Sequence, residues 1–289
     1  MTALPLKRTF TDSHGIDITF FEWPVTNAKA VVQLVHGLGE HARRYDHVAE
    51  ALNRAGYAVY ATDHRGHGQT GVEMRKAREI THQGNLGKGG MKAVFTDELE
   101  LTSLIEREML GARVVLLGHS WGSMITQRII DENSHRYAAV VMTGSTLLLP
   151  GVLPSGGFNK KWDKTPNATG KEWLSRDASV GAAFVADPLN FPDMAIDVFG
   201  IINVLSLLGT PKKSIRSDLP ILLLAGSEDP IGGEKGNQRL LKALLRAGVK
   251  DVELIVYHEA RHEVFNEINK EEVLTDLIDW LESEFTPLV

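Results

Sequence analysis

The stretch Leu116-Leu117-Gly118-His119-Ser120-Trp121-Gly122-Ser123 decides the fold predicted for this chain. Residues 113–117, which lead into it, form a short run of aliphatic and β-branched residues typical of a buried strand. The residues after Gly122 carry one apolar stripe at helical spacing. Gly-x-Ser-x-Gly between a strand and a helix is a nucleophile elbow, so we expect a strained backbone at Ser120. A Cβ at Gly118 or Gly122 would collide across this turn.

The composition of the 289 residues is ordinary for a globular protein, with 43% hydrophobic and 24% charged residues. A net charge of −6 provides no basic surplus, which argues against nucleic acid as a partner. The chain has no cysteine, which excludes disulfides and thiolate metal sites. We find no signal peptide and no run of 18 apolar residues. A cytoplasmic location is therefore expected, with peripheral contact to membranes as an option.

Strands and helices alternate along most of the chain. The predicted strands are a starting hairpin of residues 10–11 and 16–23, then 30–35, 57–61, 113–117, 138–142, 220–225 and 252–257. The predicted helices are 45–55, 92–109, the residues after Gly122, 235–247 and 271–285. This alternation predicts an α/β fold with a doubly wound, mostly parallel sheet. Residues 71–90 are polar and rich in glycine, and we interpret them as a long surface connection.

The alternation stops at about residue 150 and resumes after Pro211. We predict an inserted helical cap at residues 150–213, on a core formed by residues 1–149 and 214–289. Within the cap, Met194 to Leu208 is apolar on most sides. This excess predicts an acyl-binding wall or a membrane contact, and plain core packing is the alternative. The predicted substrate-binding residues are Leu147, Leu148, Phe199 and Ile202.

Two polar residues follow later predicted strands and complete a candidate triad with Ser120. Asp229 follows the strand at 220–225, and His262 follows the strand at 252–257. A serine hydroxyl needs a base to take its proton and a third group to orient that base. The chain order Ser120, Asp229, His262 is the order expected of α/β-hydrolases. Glu228 is the alternative to Asp229 as the orienting carboxylate.

A serine nucleophile also requires donors for the oxyanion that forms when it attacks a carbonyl group. The backbone N–H of Trp121, the residue after Ser120, is the first predicted donor. The second is the N–H of Leu38, in the loop His36-Gly37-Leu38-Gly39 that follows the strand at 30–35. One such donor contributes about 3–4 kcal/mol of transition-state stabilisation.

From about residue 9 to residue 285 the chain resembles α/β-hydrolases of the monoacylglycerol lipase and lysophospholipase branch. The matching stretches are His36-Gly37-Leu38-Gly39-Glu40-His41 with Arg44-Tyr45, Asp63-His64-Arg65-Gly66-His67-Gly68, Gly118-His119-Ser120-Trp121-Gly122, Leu174-Ser175-Arg176-Asp177, Asp187-Pro188-Leu189 and Ala260-Arg261-His262-Glu263. The resemblance implies an esterase without a cofactor, which cleaves monoacylglycerols, lysolipids or similar small amphipathic esters. It also implies an apolar cap that forms an acyl tunnel. Trp121 replaces the usual methionine of the family, and Ser123 replaces a frequent glycine.

One motif has a competing interpretation, because His258-Glu259-Ala260-Arg261-His262 matches the zinc-protease pattern His-Glu-x-x-His. That pattern requires both histidines on one face of a helix. Here His258 ends an alternating β-branched run, so we predict that the two histidines share no helical face. We therefore predict no metal site.

Several other polar residues are expected to have structural roles. We expect His36, His41, His64, His67 and His119 to hold glycine-rich loops through hydrogen bonds to the backbone. Arg176 and Asp177 are predicted to form an ion pair that anchors the cap.

Two classes of function remain as alternatives to a lipid esterase. The same triad serves acyl transfer, amide or peptide hydrolysis, or the hydrolysis of a xenobiotic ester, and the cap decides among these. A catalytically silent α/β-hydrolase used as a ligand receptor is the alternative outside enzymes. Such receptors typically lack a member of the triad, whereas this sequence has all three.

Overall fold

A computed structural model of the protein describes residues 4–149, 157–164, 166–192 and 195–285, and one eight-stranded sheet runs through this part of the chain. The strands are β1 Leu6–Thr11, β2 Asp17–Trp23, β3 Val31–Val35, β4 Ala58–Thr62, β5 Val114–His119, β6 Ala139–Thr143, β7 Ile221–Gly226 and β8 Val252–Tyr257. Their order in the sheet is β1-β2-β4-β3-β5-β6-β7-β8. β1 and β2 are antiparallel to their neighbours, and all other pairs are parallel. The predicted mostly parallel α/β sheet is confirmed.

Helices cover both faces of the sheet. They are α1 Asp46–Arg54, α2 Gly68–Lys76, α3 Gly90–Glu108, α4 Trp121–Asn133, α5 Ala178–Ala186, α6 Ala195–Leu205, α7 Gly233–Ala247 and α8 Lys270–Phe285. Val31 and Val35 of β3 belong to one apolar cluster, whereas Val32 and Leu34 belong to another. Alternate residues of a strand point to opposite faces, so a core lies on each side of the sheet. This double burial explains why β3 and β5 are almost continuously apolar.

The register of the parallel strands brings several loops to one edge of the sheet. Val35 at the end of β3 is the partner of Gly118 in β5, and His119 is the partner of Thr143 in β6. The loops that follow β3, β5, β6, β7 and β8 therefore leave from the same edge, which we call the carboxyl edge. Ligands of open α/β sheets bind outside this edge.

The predicted surface connection at residues 71–90 is wrong at its start, because residues 71–76 belong to α2. Buried polar contacts hold this helix: the Gln69 N–H donates to Asp63 Oδ2 at 2.6 Å, and the Thr19 N–H donates to Thr70 Oγ1 at 2.9 Å. Such contacts leave no apolar periodicity in the sequence, which is why the pattern did not predict a helix.

The segment between β6 and β7 contains α5, which the sequence analysis did not predict, and α6. Gly200 interrupts α6 with φ 73° and ψ 159°. The predicted start of the cap at Pro150 and the predicted start of its apolar helix at Met194 lie outside the described residues, as do residues 1–3 and 286–289 of the predicted core. None of the helices in the described ranges has the length and apolar character needed to cross a membrane.

Candidate active site

Ser120 occupies a sharp turn between β5 and α4. Its φ of 53° and ψ of −121° lie in a region that side chains rarely adopt, so the strain predicted for the elbow is confirmed. A Cβ on Gly118 would lie 2.5 Å from the Gly122 carbonyl oxygen. A Cβ on Gly122 would overlap the Val35 carbonyl oxygen. Both glycines are therefore required for the turn that carries Ser120 to the carboxyl edge.

Asp229 and His262 lie at the ends of neighbouring strands and are hydrogen-bonded to each other. Asp229 Oδ1 accepts from His262 Nδ1 at 3.0 Å and from the Ile231 N–H at 2.9 Å. Because a carboxylate only accepts, Nδ1 carries the proton and Nε2 is the free acceptor of the ring. Burial lowers the pKa of His262, but the negative charge and hydrogen bond of Asp229 outweigh burial and raise this pKa above its ordinary value.

The imidazole of His262 lies beside the elbow. Its ring centroid is 4.8 Å from that of His119, the residue before Ser120, and 4.8 Å from that of Trp173 on the segment between β6 and β7. The alternative carboxylate, Glu228, forms a salt bridge with Lys161 at the surface. Of the two candidate carboxylates, Asp229 is therefore the one that is hydrogen-bonded to His262.

Both predicted oxyanion donors, Leu38 and Trp121, lie in segments that adjoin Ser120. Trp121 is the first residue of α4, and the first amides of a helix have no partner within the helix. The loop after β3 lies against the serine, because a Cβ on Gly37 would be 3.2 Å from Ser120 Cβ. Leu38 is the next residue of this loop and is half-buried.

A buried charge network, which the sequence analysis missed, connects this loop to the residue after His262. Glu40 Oε1 accepts from the Gly37 N–H at 2.6 Å and from the Tyr45 hydroxyl at 2.7 Å. Arg44 pairs with Glu40 and binds both oxygens of Glu263 at 2.8 Å. Burial acts to raise the pKa of Glu263, but Arg44 lowers it to about 2. These residues lie in stretches that carry the family resemblance, but the only local sign of a charge pair is the four-residue spacing of Glu40 and Arg44.

Three of the five histidines hold the loops as predicted. His36 Nδ1 is 2.8 Å from the Gly37 carbonyl oxygen, His64 Nε2 is 3.1 Å from the His36 carbonyl oxygen, and His67 Nδ1 is 2.9 Å from the Arg65 carbonyl oxygen. The other two bind side chains instead. His41 Nε2 is 2.9 Å from Asp187 Oδ2, and His119 Nδ1 is 2.8 Å from Thr143 Oγ1.

The His-Glu-x-x-His segment is not a helix. β8 ends at Tyr257, His258 is exposed, and Glu259 has a φ of 58°. His258 and His262 therefore share no helical face, as predicted.

The predicted ion pair of Arg176 and Asp177 is wrong. Arg176 Nε donates to Glu267 Oε2 at 2.8 Å, and its Nη2 donates to Asn269 Oδ1 at 2.7 Å. Asp177 accepts from the Ser179 N–H at 2.9 Å and caps α5. Adjacent side chains diverge here because one residue precedes a helix as its cap while the other reaches back to the core.

Three of the four predicted substrate-binding residues belong to one buried apolar cluster. Leu147, Leu148 and Phe199 are buried in the apolar cluster that contains Trp121, and the Phe199 and Trp121 rings are 4.6 Å apart. Ile202 is 80% exposed and does not join them. The backbone break at Gly200 separates Phe199 from Ile202, so the two side chains lie in different environments.

Comparisons with known proteins identify the family. Residues 26–269 match the sequence model of the family described as "Serine aminopeptidase, S33". The chain belongs to this family. Within the α/β-hydrolases it falls in the monoacylglycerol lipase-like branch, as the sequence indicated.

Individual relatives and solved structures agree with this placement. The monoacylglycerol lipase of Mycolicibacterium smegmatis is 30% identical over 96% of this chain and 97% of its own length. The monoglyceride lipase of Rattus norvegicus is 26% identical over 89% of this chain and 84% of its own length. A structure of a lipase in an open form has a TM-score of 0.83 and 28% identity, covering 98% of this chain and 99% of its own. A soluble variant of the monoglyceride lipase of Saccharomyces cerevisiae shares the fold, with a TM-score of 0.77 and 21% identity over 98% of this chain and 97% of its own.

Proposed function

We propose that this protein is a serine carboxylester hydrolase that cleaves monoacylglycerol- or lysophospholipid-like esters through an acyl-enzyme on Ser120. The observation that carries the proposal is the hydrogen bond between His262 Nδ1 and Asp229, beside a serine in the strained elbow conformation. This bond leaves Nε2 of His262 as an acceptor, and an acceptor nitrogen is what a general base requires.

The reaction follows from these positions. His262 Nε2 takes the proton of the Ser120 hydroxyl, whose oxygen attacks the ester carbonyl carbon. The backbone N–H groups of Leu38 and Trp121 stabilise the oxyanion. His262 then returns the proton to the leaving alcohol, and a water molecule, activated in the same way, releases the acid from Ser120. Asp229 stabilises the imidazolium throughout, and no step requires a cofactor.

The substrate class rests on the relatives and on the apolar surroundings of the elbow. The relatives named above include monoacylglycerol and monoglyceride lipases. Phe199 packs against Trp121, and Leu147 and Leu148 belong to the same buried apolar cluster, whose character suits an acyl chain. A small amphipathic ester is therefore the proposed partner.

The test is a panel of monoacylglycerols, lysophospholipids, triacylglycerols and p-nitrophenyl esters of graded length. We expect Ser120→Ala to reduce hydrolysis to the background rate, while Ser283→Ala, an exposed serine at the end of α8, retains it. A fluorophosphonate probe should label Ser120 in the folded protein. Unchanged turnover by Ser120→Ala would refute the proposal, and absence of labelling would support a silent ligand receptor instead.

Peptide or amide hydrolysis is the second candidate, because the matched family is described as a serine aminopeptidase. The two candidates separate when aminoacyl p-nitroanilides are compared with p-nitrophenyl esters at equal concentration. We expect faster turnover of the esters. Preferential release of nitroaniline would favour the aminopeptidase.

We further propose that α5 and α6 make a transient contact with membrane surfaces. Five apolar side chains on these helices are each more than half exposed, namely Val185, Ile196, Ile201, Ile202 and Leu205. Several large apolar side chains exposed on one segment of the chain are typical of contact surfaces.

Sedimentation with phosphatidylcholine vesicles tests this contact. Burial of an isoleucine side chain is worth about 1.5–3 kcal/mol, so we expect Ile202→Ser to weaken vesicle binding roughly tenfold. Leu110 is a matched control, because it is 89% exposed but precedes β5 at the opposite edge of the sheet. Equal losses for Ile202→Ser and Leu110→Ser would contradict a specific contact.

A further inference from the structure

Two polar nitrogen atoms beside the elbow are buried without a hydrogen-bond partner among the described residues: Nε1 of Trp121 and Nε2 of His67. Trp121 is only 3% exposed, and His67 is completely buried. Their rings are stacked, with centroids 5.1 Å apart and an interplanar angle of 27°. Buried polar atoms normally have partners, so this adjacent pair requires an explanation.

The two atoms are complementary in hydrogen bonding. His67 Nδ1 faces the Arg65 carbonyl oxygen at 2.9 Å, and a carbonyl oxygen only accepts. Nδ1 therefore carries the proton, and Nε2 presents a lone pair. Burial and the neighbouring His64 lower the pKa of His67 to about 3, which keeps the ring neutral at physiological pH. The indole Nε1 of Trp121 only donates. The pair thus offers one acceptor and one donor.

The surroundings of the pair are aromatic, and they are apolar on the side of the segment between β6 and β7. The Phe199 ring is 4.6 Å from Trp121, and the Phe191 ring is 4.9 Å from His67. Both phenylalanines come from the segment between β6 and β7, and Trp121 directly follows Ser120 in the chain. Binding pockets commonly combine apolar walls with a few polar groups that fix the orientation of a ligand.

We propose that Trp121 and His67 form a subsite for a hydroxyl group on the acyl part of the ester. The hydroxyl hydrogen would be donated to His67 Nε2, and its oxygen would accept from the Trp121 indole N–H. A carbonyl or ether oxygen would satisfy Trp121 alone, and an ammonium group would satisfy His67 alone. This inference rests on the proposed function and narrows its substrate class to hydroxylated acyl groups.

The test compares p-nitrophenyl hexanoate with its 2-hydroxy, 3-hydroxy and 6-hydroxy derivatives. For each hydroxy ester, we divide its kcat/KM by the kcat/KM of p-nitrophenyl hexanoate. We then divide this ratio by the ratio of the two esters' rates of hydrolysis by hydroxide without enzyme, which gives the corrected preference. Since one neutral hydrogen bond contributes modestly, we expect a corrected preference of roughly fivefold or more for one of the three positions. A ratio of about one at all three positions overturns the subsite and leaves the ester hydrolase standing. Failure to hydrolyse any of the four esters overturns both.

Two variants connect this preference to the two nitrogen atoms. Trp121→Phe removes the N–H and keeps an aromatic ring. His67→Asn removes the Nε2 acceptor, because the amide side chain is shorter than the imidazole, and it keeps an N–H that can donate to the Arg65 carbonyl oxygen. Each variant should bring the corrected ratio to about one, with hexanoate as the internal reference. A ratio that is unchanged in either variant overturns the paired subsite.

Phe191→Leu separates hydrogen bonding from packing, because it disturbs the contact with His67 and changes no polar atom. We expect this variant to keep the hydroxyl preference. Loss of the preference in Phe191→Leu as well would show that packing is responsible, and would overturn the subsite.

Discussion

The carboxyl-edge loops and the helices α5 and α6 differ in which kinds of side chain they bury and which they expose. In the loops, charged groups are buried and paired, as in the Arg44–Glu263 salt bridge. On the helices, apolar groups such as Ile202 and Val185 are exposed. Each arrangement reverses the usual preference for apolar interiors and polar surfaces. The loops therefore use burial to fix geometry, whereas the exposed apolar groups add nothing to stability and are available for contact.

The two regions are nevertheless connected. The His41 ring is hydrogen-bonded to Asp187 at 2.9 Å, and the Phe191 N–H donates to the Gly39 carbonyl oxygen at 2.9 Å. The loop proposed to hold the oxyanion thus contacts the segment proposed to hold the acyl chain. The following variants compare buried groups at the carboxyl edge with exposed groups elsewhere in the molecule.

The largest effect is expected for Asp229→Asn, which removes the charge that orients His262. We expect kcat/KM to fall by a factor on the order of 10³–10⁴, because the imidazole loses its tautomer and the stabilisation of its charged form. Glu228→Gln is the matched control, since the neighbouring carboxylate pairs with Lys161 at the surface, and it should change the rate little. Equal losses would mean that position 229 has no special role.

Asp229→Asn should also change the pH dependence of kcat/KM. Asp229 raises the pKa of His262 in the folded enzyme, and the neutral ring is the base, so kcat/KM should fall as the pH drops through this raised value. Asp229→Asn removes the strongest influence that raises the pKa of His262, whereas burial, which lowers this pKa, remains. The acid limb of the pH–rate profile should therefore move to lower pH. An acid limb that does not move would contradict the assignment.

The next effect concerns stability and compares two adjacent arginines. Arg44→Leu leaves Glu40 and Glu263 buried without their cation, so we expect a loss of about 3–5 kcal/mol in the free energy of unfolding. Arg43 is partly exposed and pairs with Asp46 on the surface, so Arg43→Leu should cost less than about 1 kcal/mol. Urea denaturation measures both. Similar losses would show that the buried network is no more important than a surface pair.

The smallest effect compares Gly122, in the elbow at the carboxyl edge, with Gly170, in the segment between β6 and β7. A Cβ at Gly122 would overlap backbone, so Gly122→Ala should lower the free energy of unfolding by about 3 kcal/mol. Gly170 has a φ of 78° but open space around it, so Gly170→Ala should cost about 1 kcal/mol from backbone strain alone. Thermal unfolding of both variants provides the measurement. If Gly170→Ala were the more damaging change, the contrast between the regions would be wrong.

The sequence predicted the features that depend on neighbours in the chain. The elbow at Ser120 and the alternation of strands and helices are local patterns, and the structure contains both. Helix α2 was missed because buried polar contacts hold it in place of an apolar stripe. The Arg176–Asp177 pair was wrong because adjacency in sequence does not make two side chains face each other.

By itself, the sequence determined the α/β fold, the strained turn at Ser120 and the strands that precede Asp229 and His262. Each of these features depends on local hydrophobic periodicity or on the residues that form a turn. Only the tertiary structure decided which buried charges meet and which apolar residues stay outside. Arg44 and Glu263 are 219 residues apart in the chain, and no local pattern reports their pairing. Phe199 and Ile202 are both apolar, so their residue types do not show which of them is buried. Packing against Trp121 buries the first, and the break at Gly200 leaves the second at the surface.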